Sequence, residues 1–369
     1  MKLQPFKLEK YFAKYEFSVK YLLSSSDCNG LLQTELLEMA DNETKELWEK
    51  LALGYTKPLG HLQLRTEVAR LYKDINPGQV LIVVPEEGIF IALNSILERG
   101  DHVICTFPGY QSLYEVAQEM GCEVVKWQPD EDNVWRFDPE FLIQNIKPNT
   151  KLIVFNFSHN PTGYLASKKD FDRIMEIAKE HNLYVFSDEM YRFLEYNPED
   201  RLPAACEVYN KAVSLFGMSK TFGLAGVRLG WVVTKNAELY QKMAIFKDYT
   251  TICSSAPSEI LSLIALRAKG KIIARHIDRI KKHVALLDIF FEKHRDMFAW
   301  VKPKAGTVAF PSLNKNLNSY KFCQEVIKEA KIMLLPSAVF DYGNKHFRIG
   351  FGRENMPEVL AKLEEHITR

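Results

Sequence analysis

From about residue 80 to residue 234 the chain alternates short β-branched runs with longer amphipathic stretches, and no other feature constrains its fold as strongly. Apolar runs at 80–84, 102–107, 122–127, 152–157, 183–187, 212–216 and 230–234 have the length of buried strands. Segments 86–98, 112–120 and 168–180 carry helical periodicity between them. Pro85, Glu86 and Glu87 suit a helix start, where a missing N–H costs nothing and acids complement the dipole. Strands separated by helices predict βαβ units, hence an α/β fold with a large domain built on a mostly parallel sheet covered by helices. Beyond it the character changes. Residues 257–298 read as one long helical stretch weakly interrupted at Gly270, followed by short strands and a helix at 319–330. The expected organisation is an arm or part of the small domain at 1–40, a large domain at 41–265 and a smaller C-terminal α/β domain at 266–369.

Forty-eight basic residues against forty-seven acidic ones leave a formal charge of +1, so no electrostatic argument favours nucleic acid or an anionic membrane as partner. Charges break every apolar stretch of the first ten residues, which do not read as a signal peptide, and no later run is long enough to span a bilayer. Cys28, Cys105, Cys122, Cys206, Cys253 and Cys323 are scattered without a Cys-x-x-Cys pair. They read as reduced, mostly buried thiols of a cytoplasmic protein.

Open parallel sheets bind ligands outside the carboxyl ends of their strands. At those ends stand Tyr110, Asn160, Asp188 and Lys220: an aromatic ring, an amide, a carboxylate and an amine. Lys220 opens the run that ends at Gly230, with Arg228 eight residues on. A lysine there can form a Schiff base with a carbonyl, and a guanidinium can clamp a phosphate with a planar fork. Pyridoxal 5′-phosphate, an aldehyde carrying a phosphate, asks for both. A dinucleotide site is excluded, because Gly223-x-x-Gly226-x-x-x-Gly230 lacks the Gly-x-Gly-x-x-Gly spacing.

Taken in order, Tyr55 with Gly60 and Leu64-Arg65, Phe107-Pro108-Gly109-Tyr110, Asn160-Pro161-Thr162-Gly163, Asp188-Glu189-Met190-Tyr191, the 220–230 run and Phe347-Arg348-Ile349 resemble the class I/II aminotransferase family of fold-type I pyridoxal-phosphate enzymes. The resemblance implies that Lys220 carries the cofactor as a Schiff base and shuttles the Cα proton. It implies that Asp188 pairs with the pyridinium nitrogen, Asn160 and Tyr191 bond the phenolic oxygen, and Tyr110 stacks on the ring. Arg228 is then the phosphate ligand, aided by Ser219 and by backbone N–H groups at Glu86 and Glu87. Arg348, with Asn160, holds the substrate carboxylate. Tyr55 in this family reaches the phosphate of the neighbouring subunit, which implies a homodimer with composite sites. The implied activity moves an amino group between an amino acid and a 2-oxo acid.

Three departures stand out. Val84-Pro85 replace the usual Gly-Ala pair before the phosphate-binding helix, and Pro85 removes a donor. Gly217 stands where a Ser or Thr is common, with Ser219, Ser254 or Ser255 as candidate substitutes. Leu23-Ser24-Ser25-Ser26-Asp27-Cys28-Asn29-Gly30 replaces a Gly- or Pro-rich substrate loop. That serine-rich entry and the Pro5-Phe6-x-Leu8-Glu9 opening are similar to the capreomycidine synthase branch, whose members eliminate and cyclise at Cβ of a hydroxylated arginine. A lyase or cyclase is therefore the second reading, and a non-catalytic, cofactor-binding regulator the third. Asp27 is a candidate for pairing with a basic substrate side chain, and Arg353 is expected at the surface.

Overall fold

The computed structural model describes residues 2–314 and 317–369; Met1, Lys315 and Asn316 lie outside them. All seven apolar runs become strands of one sheet. Its order is Val80–Val83, Gly230–Val233, Ala212–Gly217, Tyr184–Asp188, Thr150–Asn156, His102–Thr106 and Glu123–Trp127. Pairing is parallel from Ala212–Gly217 to the Glu123–Trp127 edge. Gly230–Val233 runs antiparallel to both of its neighbours.

Both faces are covered, which is why these strands read as unbroken apolar runs. Val83, Val213, Leu215 and Val232 pack under helices Pro85–Ile96 and Ala237–Asp248. On the other face Ile104, Ile153 and Val185 meet helix Lys168–Glu180, and Ile82, Phe216 and Trp231 meet helix Ala256–Arg267. Among the described residues no helix is long and apolar enough to cross a membrane. All six cysteines are unpaired, and five of them are buried.

The expected single stretch at 257–298 is two helices, Ala256–Arg267 and Lys269–Lys293, broken at Ala268 rather than at Gly270. The break follows from burial. The first helix sends Ile260, Leu263 and Ile264 into the core beside the sheet, whereas the second sends Ile280, Val284, Leu287 and Phe290 into a separate C-terminal core. One straight axis does not serve both.

The N-terminal segment belongs to that second core. Tyr21–Leu22 pairs in parallel with Ile332–Met333, and Leu23 and Cys28 pack with Val326, Phe347 and Ile349. Residues 23–29 then run at backbone contact across strand Phe347–Gly350 and the residues after it. A Cβ on Gly350 would stand 1.9 Å from the Ser25 carbonyl oxygen, and one on Gly352 2.3 Å from that of Asp27. Gly223, at φ +66°, leaves the same room for the Asn29 carbonyl. Hydrogen bonds close the seam: Gly350 N–H donates to Leu23 at 2.9 Å, and Asn29 N–H donates to Gly352 at 3.1 Å.

Because Gly350 is hemmed by backbone rather than by a movable side chain, Gly350→Ala displaces the 23–29 segment. The expected cost is about 1–3 kcal/mol of stability. It is read by thermal unfolding, together with faster limited proteolysis within the first 30 residues. An alanine variant as stable and as protease-resistant as the parent contradicts the packing described.

Candidate active site

The carboxyl ends of the strands open into a cavity of about 410 Å³, closed on the far side by the N-terminal helix Lys7–Tyr15 and the 25–27 segment. Asp188 ends its strand there, and Asn156 ends the neighbouring one. Asn156 joins the two: its Nδ2 donates to the Asp188 carbonyl at 2.9 Å, and its Oδ1 accepts from Asn160 N–H at 2.8 Å. Sequence reasoning missed Asn156, although a polar residue inside the apolar run 152–157 was the available signal.

Lys220, Ser219, Asp188, Tyr191, Asn160, Tyr110, Arg228, Arg348 and Glu86 all line this cavity. The Nζ of Lys220 lies 2.8 Å from Ser26 Oγ, and burial pulls its pKa below that of a free lysine. Asp188 accepts from Met190 N–H at 3.1 Å, and burial raises its pKa to about 7. Arg348 is 1 % exposed. It donates to Asn160 Oδ1 at 2.9 Å and to the Ser24 carbonyl at 2.7 Å, and burial lowers its pKa to about 10, so it stays cationic at neutral pH. Arg228 sits in the left-handed region at φ 52° on the exposed rim, after the turn Ala225–Val227.

The end of the cavity expected to receive the phosphate differs from a simple helix start. Pro85 is the first residue of helix Pro85–Ile96. The Glu87 carboxylate turns away from the cavity: it accepts from Val84 N–H at 3.2 Å and from the Thr251 hydroxyl at 2.7 Å. Its side chain is therefore not a cavity group. Glu86 does face the cavity, hydrogen-bonded to the Ser112 hydroxyl, and burial raises its pKa. A Cβ on Gly217 would stand 3.0 Å from the Gly230 Cα and 3.1 Å from both the Leu229 carbonyl oxygen and the Pro85 ring, so backbone and ring together leave a serine little room. Ser254 and Ser255 do not substitute within the chain. They lie at the start of helix Ala256–Arg267 in a separate depression beside Tyr55. Tyr55 itself is 94 % exposed and does not line its own chain's cavity.

Two further expectations are corrected. Arg353 is not a free surface residue: its guanidinium grips Asp27 through Nε at 3.2 Å and Nη2 at 3.1 Å, at the cavity wall. Asp27 is thereby committed to Arg353. Glu9, Phe12 and Glu16 also reach the cavity from the N-terminal helix and the residue that caps it, and sequence reasoning passed over them. The helical spacing of Leu8, Tyr11 and Phe12 was the available signal.

The polar groups fit pyridoxal phosphate. The cavity offers an amine for its carbonyl, a buried carboxyl for its ring nitrogen and a guanidinium for its phosphate. The Tyr191 hydroxyl is buried at the cavity wall within reach of the Ser26 side chain, where it can also meet a ligand oxygen.

An α/β sheet with a half-buried lysine, a buried aspartate and Arg228 at its carboxyl rim, faced by the buried Arg348 of strand Phe347–Gly350, defines a scaffold for amino-group chemistry. The sequence profile described as aminotransferase class I and II matches residues 18–363, and the chain belongs to that family, whose cofactor is pyridoxal phosphate. The chain is 28 % identical to an aspartate aminotransferase of Pyrococcus horikoshii, covering 84 % of this chain and 82 % of that one. It is 24 % identical to a capreomycidine synthase of Streptomyces vinaceus, covering 98 % and 93 %. Among solved structures, a PLP-dependent aminotransferase from Streptococcus suis superposes with a TM-score of 0.93 at 29 % identity, covering 100 % of this chain and 99 % of that one.

Asp188 yields a pH signature. Its folded-state pKa of about 7 exceeds the 3.8 of a free carboxyl, so the folded chain holds this proton more tightly than the unfolded one. The resulting stabilisation is complete below about pH 4 and is lost as pH rises through 7. In cofactor-free protein, Asp188→Asn is expected to gain on the parent by a few kcal/mol between pH 4 and pH 8. Thermal melts across that range decide it, and a pH-independent difference counts against the assignment.

Proposed function

We propose that the chain is an aminotransferase that moves an amino group from an amino acid to a 2-oxo acid. The observation that carries the reading is one cavity holding the Lys220 amine, the buried Asp188 carboxyl and the buried Arg348 guanidinium. When bound, pyridoxal phosphate supplies a carbonyl that takes up the amino group and a ring that withdraws electrons from Cα. Asp188 holds the ring nitrogen, and the cationic ring in turn favours its ionised form. Asn160 and Tyr191 hydrogen-bond the phenolic oxygen, Tyr110 covers the ring, and Arg228 holds the phosphate with Ser219 and the Glu86 N–H. Arg348 binds the substrate α-carboxylate through a two-point contact that orients the bonds at Cα. Lys220, whose burial favours the neutral amine, moves the proton at Cα. Relatives named aspartate aminotransferase and aromatic-amino-acid aminotransferase support this reading.

A second copy of the chain is the proposed partner. Leu53, Tyr55, Tyr249 and Ile252 are exposed apolar side chains, and Tyr55 borders the depression formed with residues 253–257. A partner covering that face brings Tyr55 to the neighbouring cavity.

A specific observation keeps a second reaction in play. Glu9 and Glu16 face the cavity, and neither makes an ion pair among the described residues, so a cationic substrate side chain finds carboxylates there. The capreomycidine synthase match spans nearly the whole chain, including this N-terminal helix. Under that reading the same lysine serves elimination at Cβ and cyclisation.

The purified protein with cofactor is expected to absorb in the visible, and borohydride is expected to fix the cofactor to the parent but not to Lys220→Ala. A parent that stays colourless with added cofactor rules out both readings. Holoenzyme mixed with single amino acids and no oxo acid separates them: one-turnover conversion of the cofactor to its amine form marks transamination. Ammonia release with the original spectrum restored marks elimination.

A further inference from the structure

Of the three serines at 24–26, Ser24 and Ser25 bury hydroxyls that find no partner among the described residues. Ser26 points its hydroxyl into the cavity instead, 2.8 Å from the Nζ of Lys220. This is the one hydrogen bond that Nζ makes among the described residues, and it joins positions 194 apart in the chain. The contact is held from both sides. Before Ser26, Arg348 grips the Ser24 carbonyl at 2.7 Å, and Gly350 N–H holds Leu23 at 2.9 Å. At Ser26 itself the Thr307 hydroxyl donates to the backbone carbonyl at 2.7 Å. After it, Cys28 N–H donates to the carbonyl of Lys220 at 3.3 Å. The backbone carrying the hydroxyl and the backbone carrying the amine are therefore tied to each other, and that tie sets the side-chain contact.

We propose that Ser26 is a positioning residue for Lys220. Its hydroxyl oxygen accepts a hydrogen bond from the lysine amine and holds it on the N-terminal side of the cavity whenever the amine is not bonded to the cofactor. A lysine side chain carries about 2 kcal/mol of rotamer entropy, so a fixed acceptor shortens the search for the productive arrangement. The hydroxyl also favours the released amine over the bonded one, which eases exchange of lysine for an incoming amine. In that exchange the carbon–nitrogen double bond to Lys220 is replaced by one to the incoming nitrogen, which gives up two protons as the lysine takes up two and is released as a free amine. The inference rests on the reading of Lys220 as the Schiff-base residue, and the experiment separates the two.

The probe is methylamine, which displaces lysine without needing the carboxylate or side-chain sites. Holoenzyme is equilibrated with increasing methylamine and reduced with borohydride. Mass spectrometry then measures the fraction of chains carrying the cofactor on Lys220. Ser26→Ala is expected to need about fivefold more methylamine for half-displacement, the size of effect a hydrogen bond between neutral groups gives. Cofactor content per chain is expected to stay unchanged. Ser26→Thr keeps the hydroxyl and behaves like the parent, whereas Ser26→Val, of nearly the same volume, behaves like the alanine variant. That pair removes the effect of packing. Equal half-displacement for the parent and Ser26→Ala, or for Ser26→Thr and Ser26→Val, overturns the proposal. Cofactor fixed by borohydride at another residue of Lys220→Ala overturns the reading of Lys220 instead.

Discussion

The site depends on backbone approaching backbone where the N-terminal segment crosses Gly350 and Gly352. A single methyl group on Gly350 would fall 1.9 Å from the Ser25 carbonyl oxygen, inside any allowed contact. Only glycine lets the chain pass so close, and everything on that wall of the cavity follows from the passage. Ser24 offers its carbonyl to Arg348, Asp27 meets Arg353, and Ser26 meets Lys220. The wall joins the two ends of the chain, since Tyr21–Leu22 already pairs with Ile332–Met333.

Burial sets the electrostatics of the cavity and affects its members unequally. It raises Asp188 to about 7, lowers Arg348 to about 10 and lowers Lys220. A carboxyl held near 7 without a ligand is poised to ionise against a cation brought by one. Arg348 keeps its charge because Asn160 and the Ser24 carbonyl replace the water it has lost. Asp27 and Arg353 satisfy each other at the wall, while Glu9 and Glu16 line the cavity without an ion pair among the described residues. Glu86, hydrogen-bonded to the Ser112 hydroxyl, adds a carboxyl at the start of helix Pro85–Ile96, where burial favours its neutral form.

Much of this was legible in the sequence because the physics there is local. A strand buried on both faces must be an unbroken apolar run, so 80–84 through 230–234 announced the sheet, and the parallel rule then pointed to its carboxyl rim. Lys220, Asp188, Asn160 and Tyr110 could be read as neighbours on that basis. The break at Ala268 could not, because it reflects two cores competing for one helix rather than a local breaker; Gly270 was the wrong signal. Glu87 is expected to serve through its backbone N–H with its acid pointing away; that the carboxylate does point away is decided by Thr250 and Thr251 at a distant helix end. The glycine at 217 likewise makes sense only beside the Leu229–Gly230 backbone and the Pro85 ring.

The sequence by itself determined the α/β architecture and the amine, carboxyl and guanidinium that line the cavity, because periodicity encodes the first and residue type at the strand ends the second. Only the tertiary structure decided which groups from the two ends of the chain face that chemistry. Ser26, Asp27, Arg353, Glu9 and Glu16 come within reach through glycines that carry no side chain and backbone bonds that carry no residue code. Contacts of that kind depend on where two distant segments cross, and no local pattern records the crossing.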